Sequence, residues 1–137
     1  MNIRLEMLRV VNNLSDEYRF TDEFICESRA YFQAGSQTTV LAMDDLKVIG
    51  CASICYIRIM PTFSHPSGNR AHLMNVYTSE GYRRKGIAKE MVSILIADAW
   101  KRGSTEIGLD ASETGRPFYE NLGFVDSDEH MVLVKER

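Results

Sequence analysis

The stretch Arg83-Arg84-Lys85-Gly86-Ile87-Ala88 constrains this chain most: three cations run into a glycine, and the glycine opens a long amphipathic helix. A helix N-terminus carries partial positive charge and several backbone N–H groups with no partner inside the helix. Acidic residues favour that pole, yet the first acid here is Glu90. The pattern admits two readings, a solvated basic turn or a seat for an anion. For the second, pyrophosphate suits the turn. The N–H groups point at it, the dipole favours it, and Gly86 lets the backbone approach closely. His72–Thr78 reads as a strand before the turn, and Gly86–Arg102 as a helix after it. The seat thus lies at a strand's C-terminal end, where open α/β sheets bind ligands.

Composition narrows the ligand. A net charge of -3 and a pI near 5.6 give no general surface for nucleic acid or membrane. The cluster at 83–85 is therefore local and suits a small anionic ligand. With 137 residues, 45% hydrophobic and 26% charged, the chain reads as one domain, 1–137, and not as a disordered or collagen-like polymer. Its three cysteines cannot all pair within the chain. Cys51 and Cys55 lie four apart on a predicted strand, roughly 13 Å at the usual rise and too far for a disulfide. With no metal-type His/Cys spacing, all three read as reduced core or near-core thiols of a cytoplasmic protein. Met1–Val10 mixes charge with apolar residues and reads as no signal peptide, and Met91–Trp100 is too short to span a bilayer.

Elsewhere the order is readable. Ile3, Leu5, Leu8, Val11 and Leu14 recur at helical spacing. A second helix is expected over Asp22–Gln33, capped by Thr21 and ended by Gly35. Thr38–Met43 and Lys47–Tyr56 form a hairpin across Asp44-Asp45. Pro61, Pro66, Gly68 and Asn69 mark a loop over Met60–Ala71. The helix after the turn buries Ile87, Met91, Ile94, Leu95 and Trp100 by spacing and stops at Gly103. Glu106–Ala111 reads as a strand, Pro117–Leu122 as a short helix stopped by Gly123, and Met131–Lys135 as a final strand. The fold class is α/β.

The turn is neither a Walker loop nor a dinucleotide fingerprint. With Arg83, Gly86 and Ala88 on the fixed positions, it resembles the Arg/Gln-x-x-Gly-x-Gly/Ala signature of the GNAT acetyltransferases. Leu73–Thr78 resembles the central strand that feeds the turn in that family. Leu109–Ser112 followed by Gly115–Phe124 resembles its second acyl-CoA segment. The resemblance covers roughly residues 38–135.

The resemblance implies a mixed, mostly antiparallel, splayed sheet flanked by helices, with acetyl-CoA as co-substrate and no metal. The backbone of Asn75, Val76, Tyr77 and Thr78 would pair with the pantetheine arm like an added strand. Backbone N–H groups of Arg84, Lys85, Gly86, Ile87 and Ala88 would hold the pyrophosphate, with the side chains of Arg83, Arg84 and Lys85 adding charge. The Val76 N–H would polarise the thioester carbonyl, and Tyr119 would protonate the leaving thiolate. Ser112 stands where many relatives carry an asparagine that meets the cofactor. The activity implied is acetyl transfer to a primary amine of a small molecule or peptide. A non-catalytic acyl-CoA-binding module or a nucleotide site stand as alternatives. No general base is assigned: Glu80 and Asp110 are the nearby acids. His65 and His72, in or beside the polar loop, are candidates on the acceptor side, and Arg116 reads as a solvated charge. The family usually begins with a strand that has no counterpart here, which predicts a homodimer or an altered sheet edge.

Overall fold

A computed structural model describes residues 1–127 and 129–136. Helices α1 (Asn2–Val11) and α2 (Asp22–Ala34) precede strands β1 (Gln37–Asp44), β2 (Lys47–Arg58) and β3 (Asn69–Thr78). Helix α3 (Ile87–Lys101), strand β4 (Ile107–Gly108) and helix α4 (Arg116–Asn121) follow. The sheet runs β1-β2-β3-β4, antiparallel except for the parallel pair β3–β4. This is the mixed, largely antiparallel α/β fold expected.

The caps explain several boundaries. The Phe24 N–H donates to Thr21 Oγ1 at 3.2 Å, closing the start of α2. Gly35, at φ 81°, ends that helix in the left-handed region that glycine adopts without a Cβ penalty.

Each face of the sheet carries its own core. Ala52, Ile54, Ala71 and Leu73 pack against Met91, Val92, Leu95 and Ala99 of α3. On the other face Cys51 and Tyr77 bury Met7 of α1. The α3 stripe corrects the sequence reading, because Ile94 and Trp100 are about half exposed. At 3.6 residues per turn both sit more than about 100° of arc from the middle of the stripe. Cys26 is likewise exposed rather than near-core, while Cys51 is fully buried and Cys55 intermediate.

The other differences lie in the strands. β3 begins at Asn69, not His72, since Asn69 and Arg70 pair with Arg58 and Ile57 and shorten the expected loop. β4 holds only Ile107 and Gly108 of the expected Glu106–Ala111, pairing with Ala71 and His72. From Leu73 onward β3 has no β4 partner, so the two strands part like a wedge. The cause is a bulge. Cys51 pairs with Tyr77 and Ser53 with Met74, so Asn75 and Val76 together face Ala52, and Asn75 takes φ 61°. A bulged strand bends and twists away from its neighbour. Residues 131–135, expected as a strand, join no ladder, and Met131 and Leu133 are almost wholly exposed. With β4 two residues long, the sheet offers them little edge to extend.

A polar knot closes the far end of α3. The Tyr56 hydroxyl, the Thr38 hydroxyl and the Arg102 Nε all donate to Asp98 Oδ2, and the Arg102 guanidinium lies 4.4 Å over the Tyr56 ring. The Tyr56 hydroxyl, ahead of the other donors, holds the Asp98 carboxyl below the usual carboxylate range. Asp98→Asn is expected to lower stability by about 1–3 kcal/mol at pH 7, the usual cost of unmaking hydrogen bonds to a charged group. A depressed native pKa stabilises above the unfolded value near 4 and stops doing so as pH falls through the native one. Urea unfolding from pH 7 to pH 3 checks this: the gap between wild type and variant should shrink below about pH 4.

Candidate active site

Two cavities flank the C-terminal half of β3. One, of about 390 Å³, is lined by Thr78, Arg83, Arg84, Gly86, Ala88 and Phe118. The other, of about 460 Å³, lies on the α1–α2 side and includes Arg4, Tyr31, Ser53, Cys55, Met74 and Asn75. Asn75 and Thr78 are three residues apart, roughly 10 Å along a strand. A linear ligand on β3 would thus reach from one cavity to the other.

The turn is built for backbone approach. Arg84 and Gly86 both take left-handed φ, 63° and 78°, so the chain coils back on itself before α3 begins at Ile87. No side chain caps this helix, and a Cβ added at Gly86 would meet nothing within 4 Å. The space in front of the N-terminus is open. Thr78 Oγ1, buried in the wall of this cavity, has no hydrogen-bond partner among the described residues. An uncapped helix pole, two left-handed residues and an orphaned hydroxyl around one space are an arrangement that can hold an anion.

The three cations differ in what they do. The Arg83 Nε donates to the Thr78 carbonyl at 2.8 Å, and the guanidinium sits 5.6 Å over the Tyr77 ring. Arg83 therefore braces the end of β3 as well as lending charge. Lys85 Nζ lies 5.6 Å over the Tyr82 ring. Tyr77 is itself buried, and burial, then the Glu6 carboxylate, push its hydroxyl above the ordinary phenol range. Glu6 Oε2 also accepts from the Ser79 hydroxyl at 2.6 Å, which ties α1 to the strand that feeds the turn.

Asn75 is the pivot of the second cavity. Its Oδ1 accepts from Arg4 at 3.0 Å, its Nδ2 donates to Ser53 Oγ at 3.2 Å, and its carbonyl accepts from the Cys51 thiol. Burial pushes that thiol up to about 11, so Cys51 stays protonated and inert at neutral pH. Val76, across the bulge, packs into the α3-side core.

Helix α4 brings Phe118 to the turn cavity, while Tyr119, the next residue, lines neither cavity. The Tyr119 ring packs edge-on against Phe118 and Phe124, at 5.0 and 5.8 Å between centroids. Its hydroxyl makes no hydrogen bond among the described residues, and burial raises it above the ordinary phenol range. It keeps its proton throughout the neutral range. Ser112 stands apart. Its hydroxyl accepts from the Gly115 N–H at 3.1 Å and meets Thr114, shaping the turn into α4, and it does not line the turn cavity.

The histidines lie elsewhere. His65 is bound to Thr105 and Glu106, and His72 faces Asp110 at 3.8 Å; neither lines either cavity. Glu80 and Asp110 are exposed and line neither cavity. Arg116 pairs with Asp126. Sequence reasoning missed Arg4, Ser53 and Tyr31. Arg4 left a signal, because it shares a helical face with Met7 and Leu8. A cation on an apolar stripe marks a buried polar contact.

A family model described as the Acetyltransferase (GNAT) family matches residues 7–124. The chain belongs to the GNAT acetyltransferases. A solved structure of a predicted acetyltransferase from Clostridium acetobutylicum, with acetyl-CoA, resembles this GNAT chain with a TM-score of 0.85 and 28% identity. It covers 97% of this chain and 86% of that one. The glucosamine 6-phosphate N-acetyltransferase of Trypanosoma brucei brucei is 31% identical over 87 residues, which span 64% of this chain and 57% of that enzyme. A GCN5-related N-acetyltransferase from Ralstonia eutropha, at 23% identity and a TM-score of 0.76, shares the fold; 82% of this chain and 74% of that one are covered. Among the described residues no cluster of His, Cys, Asp and Glu is suited to a metal, and no helix is long and apolar enough to cross a membrane.

Proposed function

We propose that the protein moves an acetyl group from acetyl-CoA to a primary amine of a small molecule or peptide by direct attack. The observation that carries this is the bulged β3 leading straight into the open, uncapped pole of α3. The residues fit the donor: Thr78 Oγ1 lacks a partner, and the space before Gly86 is free for a diphosphate. Acetyl-CoA supplies a thioester whose carbonyl accepts the amine and whose thiolate leaves.

The chain's residues do the rest. Backbone N–H groups of Arg84–Ala88 hold the diphosphate, with charge from Arg84 and Lys85, and Arg83 braces Thr78. The backbone of Asn75–Thr78 holds the pantetheine arm on the edge that β4 leaves bare. The Val76 N–H, on the bulge, polarises the carbonyl, and Tyr119 gives its proton to the thiolate, while the attacking nitrogen sheds a proton to water and water returns one to Tyr119. The amine enters through the cavity lined by Ser53 and Asn75. Ser112 acts on the site through the α4 turn rather than by contact. Calorimetry with acetyl-CoA, and with ATP as control, tests the donor assignment. One saturable site for acetyl-CoA and none for ATP is expected; no acetyl-CoA binding by folded protein overturns it.

The working form we propose is a cytoplasmic homodimer. Three free cysteines suit a reducing compartment. The exposed apolar run Met131–Val134 and the outer edge of β1 both call for cover. Light scattering should give twice the chain mass, falling to one chain when residues 129–137 are deleted. A monomer at all concentrations overturns the dimer.

A further inference from the structure

We propose that Arg4 binds an anionic group of the acceptor, so that the amine acetylated carries a carboxylate or a phosphate. The inference rests on the acetyl-transfer reading above and deepens it.

Arg4 is the cation of the 460 Å³ cavity, whose walls are otherwise largely apolar or neutral: Tyr31, Phe32, Cys55 and Met74. Arg70, Arg102 and Arg116 each have a carboxylate within 4 Å, whereas Arg4 has none among the described residues. Its Nε is buried without a hydrogen-bond partner. A half-buried guanidinium with no carboxylate paired to it is costly, and an incoming anion offsets that cost. The group is also held ready. One terminal nitrogen donates to Asn75 Oδ1, and the guanidinium carbon lies 5.6 Å over the Phe24 ring. The other terminal nitrogen makes no hydrogen bond among the described residues and is not sealed off, so it is the donor left for an oxygen of a carboxylate or phosphate.

The cavity floor adds a place for the amine. Arg4 can only donate, so Asn75 Oδ1 accepts and Asn75 Nδ2 donates to Ser53 Oγ. At the other end, Thr39 Oγ1 donates to Gln37 Oε1, which can only accept. Thr39 has thus committed its single proton, so the Ser53 hydroxyl must donate to Thr39 Oγ1, 2.8 Å away. Ser53 is left with one unused lone pair. That lone pair accepts an N–H of the acceptor and turns the nitrogen's own lone pair outward. Glu27 lines the same cavity from an exposed position and receives the ammonium as it arrives. A polycationic amine, by contrast, would bring further positive charge against Arg4.

Matched acceptor pairs test this with the full chain and acetyl-CoA, read by thiol release. One pair sets amino acids against their carboxamides; the other sets phosphorylated amino sugars against the unphosphorylated sugars. In wild type the anionic member of at least one pair should lead in kcat/KM by on the order of ten- to a hundredfold, the usual weight of a charge-assisted hydrogen bond. Whichever pair shows the lead names the anion. Arg4→Met keeps the apolar stem and should erase the lead through KM, and Arg4→Lys should restore part of it. Thermal melts confirm that both variants fold. Equal or better turnover of the neutral members, or a lead that survives Arg4→Met, overturns the inference and leaves acetyl transfer standing. Acetyl-CoA binding with no amine turned over sinks the transfer reading and this inference together.

Discussion

Gly86→Glu should weaken acetyl-CoA binding by on the order of a hundredfold or more, because two separate penalties fall on one position. The first is conformational. Gly86 sits at φ 78°, and an L-residue there costs about 1–2 kcal/mol. The second is electrostatic. The new side chain would start into open space in front of α3, its Cβ meeting nothing within 4 Å, and set a carboxylate where the proposed diphosphate would sit. Gly86→Ala separates the two, since it carries the backbone penalty alone and should lose roughly tenfold or less. Calorimetry reads both, with circular dichroism to confirm folding. Equal losses for the two variants would mean that the turn acts only through its backbone shape. No loss for either would remove the turn from the donor site altogether.

The second large effect concerns the proton. Tyr119→Phe should cut kcat by about 10²–10⁴-fold, the range for removing a general acid, while leaving acetyl-CoA affinity within about twofold. The phenyl ring keeps its edge contacts with Phe118 and Phe124, so the fold should hold. Burial raises the Tyr119 hydroxyl, which keeps it protonated beyond the ordinary phenol pKa near 10. Loss of this acid in wild type should therefore appear only on the strongly alkaline limb of the kcat profile. In the variant that limb should vanish. A Phe variant with wild-type kcat would assign the proton to water, and Tyr119 would then be a packing residue of α4.

Local signals were legible in the sequence and pairing signals were not. Thr21, Gly35, Gly86 and Gly103 marked helix ends within a residue or so, because caps and left-handed turns are written in single residue types. The cation run and the glycine marked the left-handed turn before α3 for the same reason. Strand lengths depend on partners far away in the chain. Glu106–Ala111 has good strand composition, yet only two of its residues meet β3, since β3 bends off at Asn75. Met131–Lys135 alternates like a strand but has no ladder to join. The Arg4–Asn75 contact joins residues 71 positions apart, and no local pattern encodes it. What Arg4 did announce was its misfit among Met7 and Leu8.

The extra residue at Asn75 has one more consequence. Removing it in thought leaves Leu73 and Val76 on the α3 side, and Met74 and Tyr77 on the opposite side, with Val76 then opposite Ala52. The parity of β3 is the same with or without it. The apolar packing of both faces would survive the deletion and the ladder would run unbroken from Gly50 to Arg58, but the Asn75 bonds to Arg4, Ser53 and Cys51 would go. The insertion is therefore dispensable for the hydrophobic architecture, and it is filled by an asparagine, a residue that enters left-handed backbone more readily than most others with a Cβ. A chain shortened by that single residue should keep its sheet but leave Arg4 and Ser53 short of a partner, and on the function proposed above it would have no bend to hold a thioester.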